Sequence, residues 1–210
     1  MDNGVVLFGG SFNPVHHGHL LVARSVAEHL GAQRIVLIPA AQPPHKYGLG
    51  TPNLAPAEDR LEMLRRATAG DSDFEVSDIE LRRAGPSYTI LTVETYLRML
   101  STDVPCCWLI GADTLEDLHT WHRVRDLCDL VRIVTAARPG FETPNLAALA
   151  EILPRELLGQ IRNDILPTPR IDISASQVRQ RISAGRSIRY LVPEAVRTFI
   201  EEQRLYRGTS

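Results

Sequence analysis

Short apolar runs alternate with stretches of helical periodicity along most of this chain. Val5, Val6, Leu7 and Phe8 form a run with no polar face that stops at Gly9-Gly10, the pattern of a buried strand breaking into a turn. Between residues 19 and 30 the apolar positions Leu20, Val22, Ala23, Val26, Ala27 and Leu30 recur at helical spacing. The same alternation predicts strands at 34–39, 74–81, 106–110 and 131–136, and helices at 58–69 and 88–100. Strands that are apolar on both faces and separated by helices belong in a parallel sheet covered on both sides. The predicted class is α/β, a Rossmann-like doubly wound parallel sheet.

After Phe141 the pattern shortens. Residues 146–152 and 156–161 read as short helices, 164–173 as an extended stretch, 176–183 as a helix, and 193–205 as a last helix with Pro193 in its first turn. This predicts a single domain, with a core over about residues 1–140 and a small C-terminal helical portion over about 141–210. Ligands of an open α/β sheet gather at the carboxyl ends of its strands. Chemistry is therefore expected in segments 9–19, 39–46, 111–113 and 138–140.

Composition narrows the class. The 210 residues are 44% apolar and 23% charged, enough for a core without disulfides or a structural metal. Lys and Arg number 23 against 25 Asp and Glu, a net charge of -2, and this lack of a basic excess argues against a nucleic-acid partner. No apolar run approaches the ~18–20 residues of a membrane span, so no membrane partner is expected. The opening MDNGVVLFGG has neither a basic n-region nor a cleavage pattern, which predicts no signal peptide. Cys106, Cys107 and Cys128 suit buried thiols in a reducing compartment, and a cytoplasmic location is expected.

The most unusual segment is GGSFNPVHHGH at 9–19. Its glycines permit close backbone approach to a ligand. His16 and His19, three apart, share one face at a helix start, where free N–H groups and the helix dipole favour an anion. Imidazoles placed there can donate to phosphate oxygens. A turn with surface histidines and a zinc pair also fit two spaced histidines, although no Cys, Glu or third His stands at a convincing zinc-ligand spacing. The segment resembles the HxGH signature of the nucleotidyltransferase superfamily, in the form typical of bacterial nicotinate-nucleotide adenylyltransferases. Taken alone it leaves open phosphopantetheine adenylyltransferase, glycerol-3-phosphate cytidylyltransferase and the adenylyl-transferring half of FAD synthetase.

A second segment, ISASQVR at 173–179, places Ser174 or Ser176 to cap a helix and Arg179 on its first turn, with a fork suited to phosphate oxygens. It resembles the superfamily's ISxTxxR, with Ser176 in place of Thr. PPHK at 43–46, PSYT at 86–89, GAD at 111–113, Trp121 and RPG at 138–140 follow one another as PPHK, PSYT, GxD, TW and RPG do in nicotinate-nucleotide adenylyltransferases. Singly, each admits a plainer reading, with Trp121 and Tyr88 as packing, Asp113 as a loop carboxylate and the prolines as a stiff loop. Their shared order is what carries the resemblance, which spans about residues 5–206. One departure stands out: His122 follows Trp121 where the family usually has Tyr, which bears on the choice between acid and amide nucleotides.

The resemblance implies adenylyl transfer from ATP to nicotinate mononucleotide, giving deamido-NAD and pyrophosphate in NAD biosynthesis. It implies His16, His19 and Arg179 as catalytic residues. ATP would be bound by these three with Gly9, Gly10, Ser11, Phe12, Gly111, Asp113, Ile173, Ser174 and Ser176. Nicotinate mononucleotide would be bound by Lys46, Tyr88, Thr89, Trp121, His122 and Arg138. An aromatic such as Trp121 can stack on a pyridine ring, and a helix start near Tyr88-Thr89 can hold its carboxylate. Mg2+ is expected with ATP, held mainly by the phosphates and water, with no metal site on the protein. The chain is expected to be a monomer or homodimer. Alternatives are transfer to nicotinamide mononucleotide or to another phosphate acceptor such as phosphopantetheine, and a nucleotide-binding module without catalysis. The Pro- and Gly-rich segment 42–56 is expected to close over substrate.

Overall fold

β1 (Gly4–Gly10) lies in the middle of the sheet because neither of its faces suits water: Val5, Val6 and Leu7 have no exposed surface. It pairs with β2 (Ala32–Pro39) on one side and β4 (Cys106–Gly111) on the other. β3 (Phe74–Val76) adds beyond β2, while β5 (Arg132–Ala136) and β6 (Ile165–Leu166) add beyond β4. The order is β3-β2-β1-β4-β5-β6, all pairs parallel. The structure, a computed structural model, describes residues 1, 3–44, 54–101, 104–137 and 144–207.

Helices cover both faces, as the strand pattern requires. On one, α1 (His17–Leu30), α2 (Ala57–Ala67), α8 (Ala175–Ser183) and α9 (Glu194–Glu202) pack on Val6, Ile35, Leu37 and Leu109. On the other, α3 (Thr89–Leu97), α4 (Ala112–Leu115), α5 (Val124–Leu130), α6 (Ala147–Ala150) and α7 (Arg155–Asn163) pack on Val5, Leu7, Trp108 and Ile110. Each fully buried Val, Leu or Ile contributes about 1.5–3 kcal/mol, so the two layers hold the sheet between them. α1 shows the local logic. Ala23, Val26, Ala27 and Leu30 form its buried stripe, and Gly31, at φ 64, ends it with N–H bonds back to Ala27 and Glu28.

Three differences from the sequence reading have physical causes. β3 stops at Val76 rather than running to 81, because the chain leaves the sheet and buries Glu80 against α3, where the Thr92 hydroxyl donates to Glu80 Oε1 at 2.6 Å. Of the extended stretch 164–173, residues 165–166 join the sheet as a sixth strand, held by Thr135 N–H to Asp164 and Ala137 N–H to Leu166. A forked Arg132–Asp164 pair, with bonds of 2.7 and 2.5 Å, fastens the same corner. Finally, α4, a 3-10 turn at Leu118–Thr120 and α5 fill the β4–β5 connection, where no helix was predicted. These elements are too short to display a helical period.

The strand order reverses at β1. The connections leaving β1 and β4 therefore diverge to opposite faces, and a crevice opens at their carboxyl ends.

Candidate active site

Two cavities occupy this crevice, one toward each face of the sheet. The larger, of about 540 Å³, lies on the α1 side and is lined by His16, Gly18 and His19, by Phe8 and Gly111, and by the strip 168–174. The smaller, of about 200 Å³, lies on the α3 side and is lined by Gly9, Gly10, Ser11, Pro43, Pro44, Glu80, Ser87, Tyr88, Thr89, Trp108, Thr120, Trp121 and His122, with Ala40. β1 and β4 supply both: Phe8 and Gly111 face the first, Gly9 and Trp108 the second.

In the larger cavity His16 caps α1 in an extended conformation and is 3% exposed. His19, in the first turn, stacks on it with ring centroids 3.6 Å apart. The His16 N–H donates to His19 Nδ1 at 3.2 Å. A nitrogen that accepts cannot carry the proton, so His19 is the neutral tautomer with N–H on Nε2. The ring thus presents an oriented donor, as expected of an imidazole that donates to phosphate oxygens. Phe12, buried at φ 44, meets the His19 ring edge-on at 5.1 Å and fixes its tilt. Phe12 does not line either cavity.

Arg179 reaches this site from 166 residues away: its Nη1 donates to the Asn13 carbonyl at 2.7 Å and its Nη2 to Ser176 Oγ at 3.2 Å. Ser174 caps α8, accepting from the Gln177 N–H at 3.1 Å. Ser174 and Ile173 line the larger cavity with Gly111, whereas Ser176 and Arg179 stand beside it. Asp113 sits in the first turn of α4, its Oδ1 so close to Gly111 that a Cβ there would meet it at 2.5 Å.

Gly9, Gly10 and Ser11 were assigned to ATP by the sequence reading; the structure places them in the wall of the smaller cavity. Gly9 is a packing requirement: a Cβ on it would lie 2.3 Å from Trp108 Cζ2. Tyr88, Thr89, Trp121 and His122 come together in that cavity, with Tyr88 and His122 rings 4.4 Å apart. Ser87 binds Gln42 through both Ser87 N–H to Gln42 O at 2.9 Å and Gln42 N–H to Ser87 Oγ at 3.0 Å, which joins the two loops forming the wall. Lys46 and Arg138 lie outside the described residues, as does most of the 42–56 segment.

The sequence reading missed several residues. Trp108 and Glu80, the latter 4% exposed, line the smaller cavity. Arg170 and Asp172 line the larger. Arg60 is 1% exposed and donates to Ala55 O at 2.9 Å and to Ser11 O at 2.8 Å, bracing the loop after β1 from below. Desolvation lowers its pKa from the ordinary arginine value. A signal was present, since Arg60 precedes the inward Met63 and Leu64 by three and four residues and so shares their face.

A parallel sheet with a histidine-capped first helix and a late serine-capped helix returning an arginine to it defines a cytidylyltransferase-like nucleotidyltransferase, and residues 7–181 match that family's model. A protein of Thermomicrobium roseum named "Probable nicotinate-nucleotide adenylyltransferase" is 41% identical over 96% of this chain and 90% of its own length. A namesake from Roseiflexus sp. is also 41% identical, over 96% of each. A solved Plasmodium falciparum nicotinic acid mononucleotide adenylyltransferase, complexed with NaAD, shares the fold at a TM-score of 0.72 and 16% identity, over 97% of both chains. Within the wider class, this chain belongs to the nicotinate-nucleotide adenylyltransferase family.

Proposed function

We propose that this chain transfers the adenylyl group of ATP to nicotinate mononucleotide, forming deamido-NAD and pyrophosphate. The observation that carries the reading is the pair of cavities on opposite faces of the sheet, both lined by the ends of β1 and β4. One holds oriented N–H donors and the other aromatic rings, so a polyphosphate and a pyridine nucleotide can approach each other from two sides.

The larger cavity has the volume of a nucleotide site and takes ATP. His19 Nε2–H and the start of α1 face its phosphates, and Arg179 approaches from α8. In the smaller cavity the pyridine ring lies against Trp121, and the N-terminal turn of α3 at Thr89 receives its carboxylate. The 5′-phosphate oxygen of the mononucleotide attacks the α-phosphorus in line. A new P–O bond forms there, the bond from the α-phosphorus to the bridging oxygen breaks, and pyrophosphate departs with that electron pair. An ionised phosphate needs no general base. Catalysis is positioning together with hydrogen bonds to the charge that grows on the transferring and leaving groups.

Mg2+ enters as part of the MgATP substrate. In this reading phosphate oxygens and water supply the ligands of that ion. Lys46 and Arg138 complete the acceptor site in this reading. Among the described residues no helix is long and apolar enough to cross a membrane.

Pyrophosphate release measured with ATP and each of nicotinate mononucleotide, nicotinamide mononucleotide and phosphopantetheine tests the reading. The nicotinate nucleotide is expected to be the best acceptor. Faster turnover with phosphopantetheine, or none with either pyridine nucleotide, overturns it.

A further inference from the structure

Asn13 is the hub of a buried network in which the proposed chemistry uses Arg179 and gives Asn13 and Tyr206 no part. Its Oδ1 accepts from the Tyr206 hydroxyl at 2.7 Å and from the Ala55 N–H at 3.0 Å. Its carbonyl oxygen accepts from Arg179 Nη1 at 2.7 Å. Asn13 is 3% exposed and Tyr206 8%, so these bonds form away from competing water. Burial also holds the Tyr206 hydroxyl above the ordinary tyrosine range, which keeps it a proton donor at any working pH. Ala55 is tied in turn to Arg60, whose Nη1 grips Ser11. The loop carrying Asn13 is therefore held on both flanks, and Arg179 leans on its carbonyl.

We infer that Tyr206 and Asn13 are positioning residues for Arg179: the Tyr206 hydroxyl fixes the Asn13 side chain, and the Asn13 carbonyl sets where the guanidinium sits relative to the transferring phosphate. The inference rests on the proposed reading in which Arg179 serves the phosphates. Arginine has long, rotamer-rich freedom, and a fixed carbonyl removes most of it before substrate arrives. A small displacement of such a group lowers turnover more than it lowers binding. Tyr206 stands 193 residues from Asn13, so the pairing is a property of the fold and not of either motif.

The test is a double-mutant cycle on steady-state kinetics of the full chain with ATP and nicotinate mononucleotide. Tyr206→Phe removes only the hydroxyl and leaves the ring in the core. Its kcat is expected to fall about tenfold, with both KM values within about twofold. In an Arg179→Lys background the same change should cost less than about twofold, because the fork it positions is gone. If Tyr206→Phe slows the Arg179→Lys enzyme by the full factor, the tyrosine acts on general stability and the inference is wrong. If Arg179→Lys by itself runs at the wild-type rate, the role given to Arg179 fails instead. Should Tyr206→Phe not fold, Asn13→Asp and Asn13→Ala replace it. Asn13→Asp keeps an acceptor for both donors and should retain kcat within about threefold, while Asn13→Ala should reproduce the Arg179-dependent loss. Equal kcat in the two Asn13 variants overturns the inference.

Discussion

The two cavities are built on different principles. The larger is polar in its working parts and assembled from distant stretches of chain: α1 supplies the histidines, the strip 168–174 the opposite wall, and α8 the arginine. The smaller is mostly apolar, formed by the end of β1, the loops after β2 and β4 and the start of α3. Charge on a triphosphate must be met by donors aimed within tenths of an ångström, which only a braced backbone supplies. A flat ring is held by packing area, which tolerates small shifts. Damage to the first cavity should therefore appear in kcat, and damage to the second in the acceptor's KM.

The largest expected effect is on the polar side. His19→Ala removes the oriented Nε2–H and should lower kcat about 10²–10³-fold while circular dichroism and the melting curve stay near wild type. A near-normal kcat would take His19 out of the chemistry. Gly9→Ala strikes the wall between the cavities. Its Cβ would sit 2.3 Å from Trp108, so the strand or the indole must move, at a cost of about 1–3 kcal/mol in denaturant unfolding. Adding Trp108→Phe frees space at that contact and should restore part of the loss, and a double variant no better than Gly9→Ala would place the strain elsewhere.

On the apolar side, Trp121→Ala should raise KM for nicotinate mononucleotide about tenfold with KM for ATP unchanged. An equal rise in both would erase the proposed division of labour. His122→Phe keeps a ring against Tyr88 but removes the polar nitrogens, and should reduce the preference for the acid over the amide nucleotide by about threefold in kcat/KM. An unchanged ratio would show that the N-terminal turn of α3 alone reads the carboxylate. The smallest effect concerns the thiols. Burial pushes Cys106 and Cys107 up to about 12 and Cys128 up to about 11, so almost no thiolate exists below pH 9. Iodoacetamide at pH 8 should leave activity intact, and rapid inactivation would expose a thiol that the fold buries.

Much of this was legible beforehand, and unevenly. The strands at 5–8, 34–39, 106–110 and 131–136 showed themselves because both faces of each are apolar. The aromatic and histidine residues that line the two cavities stood in spaced motifs at strand ends, where loops carry chemistry. Tyr206 was not legible, and for Arg60 only its inward face was, because a buried cation and a buried hydroxyl declare their roles only through partners 49 and 193 residues away. The alternation at 74–81 was real, but its second half answered to α3 rather than to β2.

The amino-acid order by itself determined the layered α/β sheet, since apolar period and turn residues are local properties of the chain. It also carried the motifs whose side chains the proposed reading gives to phosphate and to a pyridine ring. Only the tertiary structure decided that these form two cavities on opposite faces, that Gly9 to Ser11 belong with the smaller, and that Arg179 rests on Asn13. Those outcomes depend on the strand order and on contacts between distant segments, which follow from how the whole chain buries its surface and leave no mark on any single stretch of sequence.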